Sequence, residues 1–215
     1  MSDHALEAAL DAARTGGGLT IESIVAVDPP REFRVHPRDR VVAYTADVGG
    51  ARQLFTLSLR GTGAPPTQLT ASEQAISDPQ WSPDGRRLAF VRDGEIWLIE
   101  ADGSRLVRVV AKPGGGRDPR WSPDGQKILF TSNVNGAPQV FIMAADGNNT
   151  YQLTHSDYVL RDAIWSLDGQ QILYTSMLNG IPNGTPEFYI INLDGSTKRR
   201  LTFNSWYIAN PAWQP

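Results

Sequence analysis

From Arg31 onward, the apolar positions of this 215-residue chain fall in short runs separated by clusters of Gly, Pro, Asn and Asp. Lys127-Ile-Leu-Phe-Thr-Ser132 and Gln139-Val-Phe-Ile-Met143 are typical. Such runs are too short for helices and rich in β-branched and aromatic residues, so they predict strands, and the punctuating residues predict turns. The clearest stretch reads as a strand over Asp118–Ser122, a turn at Pro123-Asp124-Gly125, strands over 127–132 and 139–143, a turn at Asp146-Gly147, and a fourth strand over Thr150–Thr154. The N-terminus has a different period. Leu6, Ala9, Leu10 and Ala13 share one face of a short predicted helix over 4–14, ended by Gly16-Gly17-Gly18. Thr20–Val27 reads equally as a short helix or a strand, stopped by Asp28-Pro29-Pro30.

The strand pattern repeats. Trp81-Ser82-Pro83-Asp84-Gly85 and Trp121-Ser122-Pro123-Asp124-Gly125 are identical, and Trp165-Ser166-Leu167-Asp168-Gly169 differs at one position. Val35-His36-Pro37-Arg38-Asp39 is a degraded copy, and Trp213-Gln214-Pro215 begins another. The residue ending each fourth strand lies twelve before the next Trp: Leu69/Trp81, Val109/Trp121, Leu153/Trp165 and Leu201/Trp213. A period of about 40–50 residues with four strands per unit predicts an all-β fold, a β-propeller of four-stranded antiparallel blades. The expected organisation is a helix and joint over 1–18 and a propeller over 19–215. Its blades run about 31–70, 77–110, 117–154 and 161–202, with an extra innermost strand at 209–215. In this scheme the Trp fills the wedge between blades. Pro sets φ, Asp bonds back to the backbone, and Gly takes the positive-φ position of the turn. Pro79, Pro119 and Pro211 sit two residues before a Trp, where an innermost strand has one free edge.

Length variation concentrates between the second and third strands: Asp93-Gly94 in one unit, Asn133–Pro138 in the next, Met177–Pro186 in the last. In a propeller that connection shares a rim with the loops leaving the fourth strands, and binding usually sits on variable loops over a fixed scaffold. Those exit loops carry His155, Tyr158 and Arg161, then Phe203, Trp206 and Tyr207. Aromatics with Arg have the composition of a protein- or peptide-recognition surface; the competing reading packs the last three at the end of the final blade. Asp78, Asp118, Asp162 and Asn210 each lie three before a Trp. They predict either local backbone bonding or a polar, cation-binding ring at a channel mouth.

Composition removes several classes. The net charge of −3 gives no basic field for nucleic acid. Without cysteine there is no thiol catalysis, disulfide or cysteine zinc site. His4, His36 and His155 are not spaced as metal ligands, and no phosphate loop, dinucleotide fingerprint or Gly-x-Ser-x-Gly elbow occurs, so no metal, cofactor or catalytic residue is expected. No apolar run approaches the roughly 18–20 residues of a membrane span. Residues 1–14 lack a signal-type apolar core. That places the chain as written in the cytoplasm, and in the periplasm or another extracytoplasmic space if a signal has been removed.

The string Asp-Pro-x-Trp-Ser-Pro-Asp-Gly, an apolar strand, Asp-Gly and then Leu-Thr resembles the TolB-type, WD-like propeller repeat over roughly 31–215. Residues 19–90, with Leu19-Thr20-Ile21-Glu22 and Val42-Ala43-Tyr44-Thr45, are similar to the N-terminal propellers of prolyl-oligopeptidase-family serine peptidases. The first resemblance implies an envelope protein that binds partner proteins through its propeller; the second implies a propeller separated from its hydrolase domain. Relatives of these types usually close with six or more blades. All nine Asn lie at or after Asn133, whereas fourteen of seventeen Arg lie at or before Arg120, as expected of a recombined or engineered fragment. An incomplete last blade would also favour a homo-oligomer. The expectation is a non-catalytic binding or scaffold module for a protein or peptide partner, and the alternative is a peptidase propeller without its hydrolase.

Overall fold

The computed structural model describes residues 31–60, 64–110, 114–134, 136–155, 159–177, 186–203 and 213. The expected N-terminal helix and joint, most of the 177–186 connection, the extra strand apart from Trp213, and Tyr158, Trp206, Tyr207 and Asn210 lie outside the described residues. Among the described residues all regular structure is strand.

Among the described residues sixteen strands form four sheets of four, each in chain order. The first holds β1 (Arg31–Val35), β2 (Val41–Val48), β3 (Ala51–Ser58) and β4 (Thr67–Gln68); the second holds β5 (Ile76–Trp81), β6 (Arg87–Arg92), β7 (Glu95–Glu100) and β8 (Val107–Val110). The third holds β9 (Arg117–Trp121), β10 (Lys127–Val134), β11 (Ala137–Ala144) and β12 (Tyr151–Gln152). The fourth holds β13 (Val159–Trp165), β14 (Gln171–Met177), β15 (Glu187–Asn192) and β16 (Arg199–Arg200). These are the meandering blades that the repeat predicts. Pro79 and Pro119 stand on β5 and β9, which are edge strands of their sheets.

Two local features depart from the sequence reading. The Asn133–Pro138 connection is not an open loop: β10 and β11 stay paired out to Val134↔Ala137, so the added length extends both strands. Gly136, just before Ala137, has φ +86°. The minimal hairpin between β6 and β7 is as expected, with Asp93 at φ +54° and Gly94 at +69°, the two positive values a type I′ turn requires. The fourth strand of the third blade is shorter than expected, because a side chain takes over the ladder. Leu153 N–H still donates to Val140 O at 2.8 Å, but Val140 N–H then donates to Thr154 Oγ1 at 2.9 Å, and Thr154 Oγ1 donates to Gln139 Oε1 at 3.0 Å. The same clasp joins Leu54, Thr70 and Gln53 in the first blade. In the fourth blade Phe188 N–H donates to Thr202, which donates to Glu187.

The chain divides into two compact units, Met1–Asp93 with Leu98–Val107 and Gly94–Trp97 with Arg108–Pro215. In the first, Tyr44, Ala46, Phe55 and Leu57 form a buried cluster, with the Tyr44 and Phe55 rings stacked at 5.5 Å. In the second, Leu129, Val140 and Ile142 of the third blade pack with Leu160, Trp165, Ile172 and Tyr174 of the fourth. Trp165 is buried there and its Nε1–H donates to Arg120 O of the preceding innermost strand at 3.0 Å. Within the first unit Trp81, half-buried, donates in the same way to Arg34 O at 3.0 Å. The indole thus fills space and also ties two innermost strands together. Trp121 is likewise buried, and Trp213 is half-buried.

Candidate functional site

The turn after each Trp is built by the serine. Ser122 Oγ donates to Asp124 Oδ1 at 2.6 Å and accepts from Lys127 N–H at 2.9 Å, while Asp124 Oδ1 accepts from Gln126 N–H at 3.0 Å. Ser82 with Asp84 and Ser166 with Asp168 repeat the 2.6 Å bond. Gly85, Gly125 and Gly169 follow at φ +75°, +70° and +69°. The serine hydroxyl is the first cause that holds all three aspartates below their ordinary carboxyl value, with backbone N–H donors adding to it. These carboxylates are committed to their turns.

The acids three residues before each Trp are different. Asp78, Asp118 and Asp162 have φ of +52°, +51° and +52°, and each lies where its innermost strand shifts register against its neighbour. Left-handed backbone costs a non-glycine residue about 1–2 kcal/mol, and Asp tolerates it because its short side chain bonds locally. Thr131 Oγ1 donates to Asp118 Oδ2 at 3.4 Å and Thr175 Oγ1 to Asp162 Oδ2 at 3.1 Å. Asp78 accepts from Ser77 Oγ at 3.2 Å. A fourth member escaped the sequence reading: Glu32, at φ +53°, accepts from Thr45 Oγ1 at 3.2 Å and receives Asp78 N–H at 3.2 Å. Counting three back from Val35, which holds the Trp position of the degraded copy, would have found it. In three of the four copies an arginine precedes the acid, as Arg31-Glu32, Arg117-Asp118 and Arg161-Asp162.

Two of these steps meet. Arg117 and Asp118 of β9, Thr131 and Ser132 of β10, and Arg161 and Asp162 of β13 line one cleft of about 350 Å³. Arg161, which the sequence groups with the rim aromatics, therefore shares a cavity with the supposed ring acids. Asp78 is placed in the other unit beside Glu32, and Asn210 is outside the described residues.

Of the rim set, His155 and Phe203 are exposed, Phe203 by 76%. The Arg200 guanidinium lies 4.7 Å from the Phe203 ring centroid, and Arg200 Nη2 donates to the buried Glu187 carboxylate at 2.7 Å. Leu201 beside it is 40% exposed. Among the described residues no three His, Asp or Glu side chains group as metal ligands. No helix among them is long and apolar enough to cross a membrane.

Residues 85–215, more than half of the chain, match the family described as the tricorn protease N-terminal β-propeller domain. The chain belongs to that family. Residues 51–118 also match the dipeptidyl peptidase IV N-terminal region. The chain is 36% identical over 80 residues to the Tol-Pal system protein TolB of Thioalkalivibrio sulfidiphilus, a match covering 35% of this chain and 18% of the relative. A TolB-type structure from Agrobacterium tumefaciens superposes with a TM-score of 0.67 at 22% identity, covering 81% of this chain and 65% of that one. TolB from Acinetobacter baumannii gives 0.61 at 24% identity, covering 80% and 43%. The acylaminoacyl peptidase of Pyrococcus horikoshii gives 0.59 at 15% identity, covering 83% and 33%. This chain therefore spans less than two thirds of each relative's length. The likenesses establish a TolB-like propeller related to the N-terminal propellers of peptidases.

Proposed function

We propose that this propeller is a non-catalytic binding module for a protein or peptide partner, engaged through the rim that carries His155, Phe203 and the loops beside them. The observation that carries the reading is Phe203. A phenylalanine 76% exposed, backed by a guanidinium that is itself anchored to a buried carboxylate, is a preformed aromatic–arginine anchor. The relative named as a Tol-Pal system protein supports a role in a protein assembly. On this reading Phe203→Ala removes capture of partners cross-linked to the wild-type protein and moves the melting temperature little, because the side chain is mostly in water. Unchanged capture overturns it.

Both family matches are named for peptidases, which supports a second reading, a propeller that docks on a hydrolase domain. Tight binding to a separately expressed hydrolase domain of such a peptidase would favour it over the first.

A further inference from the structure

The cleft formed by β9, β10 and β13 has no part in the rim anchor, and its chemistry points to a different ligand. Its charged lining consists of two guanidiniums and two carboxylates, Arg117, Asp118, Arg161 and Asp162. Neither guanidinium has a hydrogen-bond or ion-pair partner among the described residues. Each carboxylate receives a threonine hydroxyl on Oδ2. Ser132 stands in the same wall, 3% exposed, and its Oγ is buried with no partner. A buried hydroxyl left unsatisfied costs about 1–3 kcal/mol, so a group that supplied its partner would be bound more tightly for it.

The formal charges sum to zero, so neither an anion nor a cation gains net attraction: an anion meets Asp118 and Asp162, and a cation meets Arg117 and Arg161. An apolar ligand would give no partner to the two guanidiniums or to Ser132 Oγ. What fits is a molecule without net charge that carries closely spaced donors and acceptors. Vicinal hydroxyls meet that requirement, because each donates once to a carboxylate and accepts from a guanidinium or serine. Pro138 and Leu160 add an apolar side, against which the C–H face of a sugar ring can lie. The volume of about 350 Å³ is at the small end for ligand sites, in keeping with one or two rings.

We propose that this cleft binds a neutral saccharide, with Arg161 and Asp162 as its principal polar contacts. The test is an NMR titration of the full chain with methyl α-glucoside, maltose and N-acetylglucosamine into the millimolar range, following the amide signals of 117, 118, 132, 161 and 162. At least one sugar is expected to shift them saturably. Arg161→Met, which keeps the stem and removes the donors, and Asp162→Asn, which still accepts from Thr175 and tolerates positive φ, are each expected to weaken that sugar about tenfold. Ser104→Ala, in the other unit, leaves the affinity unchanged. Triglycine amide, inorganic phosphate and calcium chloride are run alongside. The proposal is overturned if no sugar shifts the cleft signals, if one of those three does so in place of the sugars, or if folded Arg161→Met and Asp162→Asn bind as the parent does.

Discussion

The turn at Val35–Asp39 and the turn at Trp121–Gly125 close the same hairpin by different means. In both, the backbone bond is shared: His36 N–H donates to Val41 O at 2.8 Å, and Ser122 N–H donates to Lys127 O at 2.9 Å. The side chains then diverge. Ser122 spends its hydroxyl inside its own turn, on Asp124 and on Lys127 N–H. His36 accepts Arg38 N–H on Nδ1 at 3.1 Å, which leaves the proton on Nε2, and Nε2–H donates to Gly85 O in the next blade at 3.0 Å. Its ring also meets the edge of Trp81, centroid to centroid 4.7 Å. One turn is stapled to itself and the other is stapled to its neighbour. What the copies have in common is therefore the backbone closure, and the side chain at the serine position decides whether stability stays local or couples two blades.

The turn glycines Gly169 and Gly85 differ in what they tolerate, and Gly85 is the more crowded. A Cβ there would fall 2.1 Å from His36 Nε2, whereas at Gly169 the nearest atom is Pro123 Cδ at 3.5 Å. Both glycines are left-handed, so both alanine variants carry about 1–2 kcal/mol of backbone strain. Only Gly85→Ala adds the overpacking term of about 1–3 kcal/mol. Chemical denaturation should therefore find Gly85→Ala about 2–5 kcal/mol destabilised and Gly169→Ala about 1–2 kcal/mol. In the His36→Ala background the excess should largely vanish, a coupling that a double-mutant cycle reads directly. Equal costs at the two glycines, or no coupling to residue 36, would mean that the imidazole does not hold this position.

Ser122→Ala tests the self-stapled turn. It removes the donor to Asp124 and leaves Lys127 N–H without its acceptor, at a cost of about 1–3 kcal/mol. It also carries a signature that mere loss of packing would not. Asp124 is held below its ordinary value of 3.8 first by Ser122 and then by Gln126 N–H. A carboxyl depressed in the folded state stabilises it above the unfolded value, and that stabilisation is lost as pH falls through the folded value. The relevant window is thus below about pH 4. In Ser122→Ala the Asp124 carboxyl should titrate closer to 3.8, as followed by its side-chain NMR signal. The Asp168 carboxyl, held by Ser166, should not move. An unshifted Asp124 would show that the serine is not what lowers it.

The two turns also mark where the sequence was readable. Strand order, the hairpin at Asp93-Gly94 and the positive φ of the turn glycines follow from neighbours a few residues apart, and such local chemistry is written in the string. The staple at His36 is not legible in the string, because its partners, Gly85 and Trp81, lie more than forty positions away. The cleft is hidden for the same reason: the pair Arg161-Asp162 is visible in the string, but only packing of the blades brings it beside Arg117, Asp118 and Ser132. Glu32 was legible by register and was masked by the loss of Trp at position 35. The serine's part in the turn needs no distant contact, but Pro-Asp-Gly already accounts for a turn, so the string does not call for it.

The smallest expected effect concerns a hydroxyl with no staple at all. The turn serines are buried and satisfied, whereas Tyr174, which the core of the second unit encloses completely, has a hydroxyl with no partner among the described residues. Burial, with the neighbouring Tyr189 adding to it, pushes that phenol well above its ordinary value, so it stays neutral and gains nothing from charge. The equivalent third-blade position is Phe130, equally buried and stacked on Phe141 at 5.5 Å, much as Tyr174 stacks on Tyr189 at 5.7 Å. Replacing an unpartnered buried hydroxyl by hydrogen removes a desolvation penalty and keeps the ring. Tyr174→Phe should therefore leave stability unchanged or raise it by up to about 1 kcal/mol, the opposite sign to Ser122→Ala. A loss of 1 kcal/mol or more on thermal or chemical unfolding would mean that the Tyr174 hydroxyl is stapled after all.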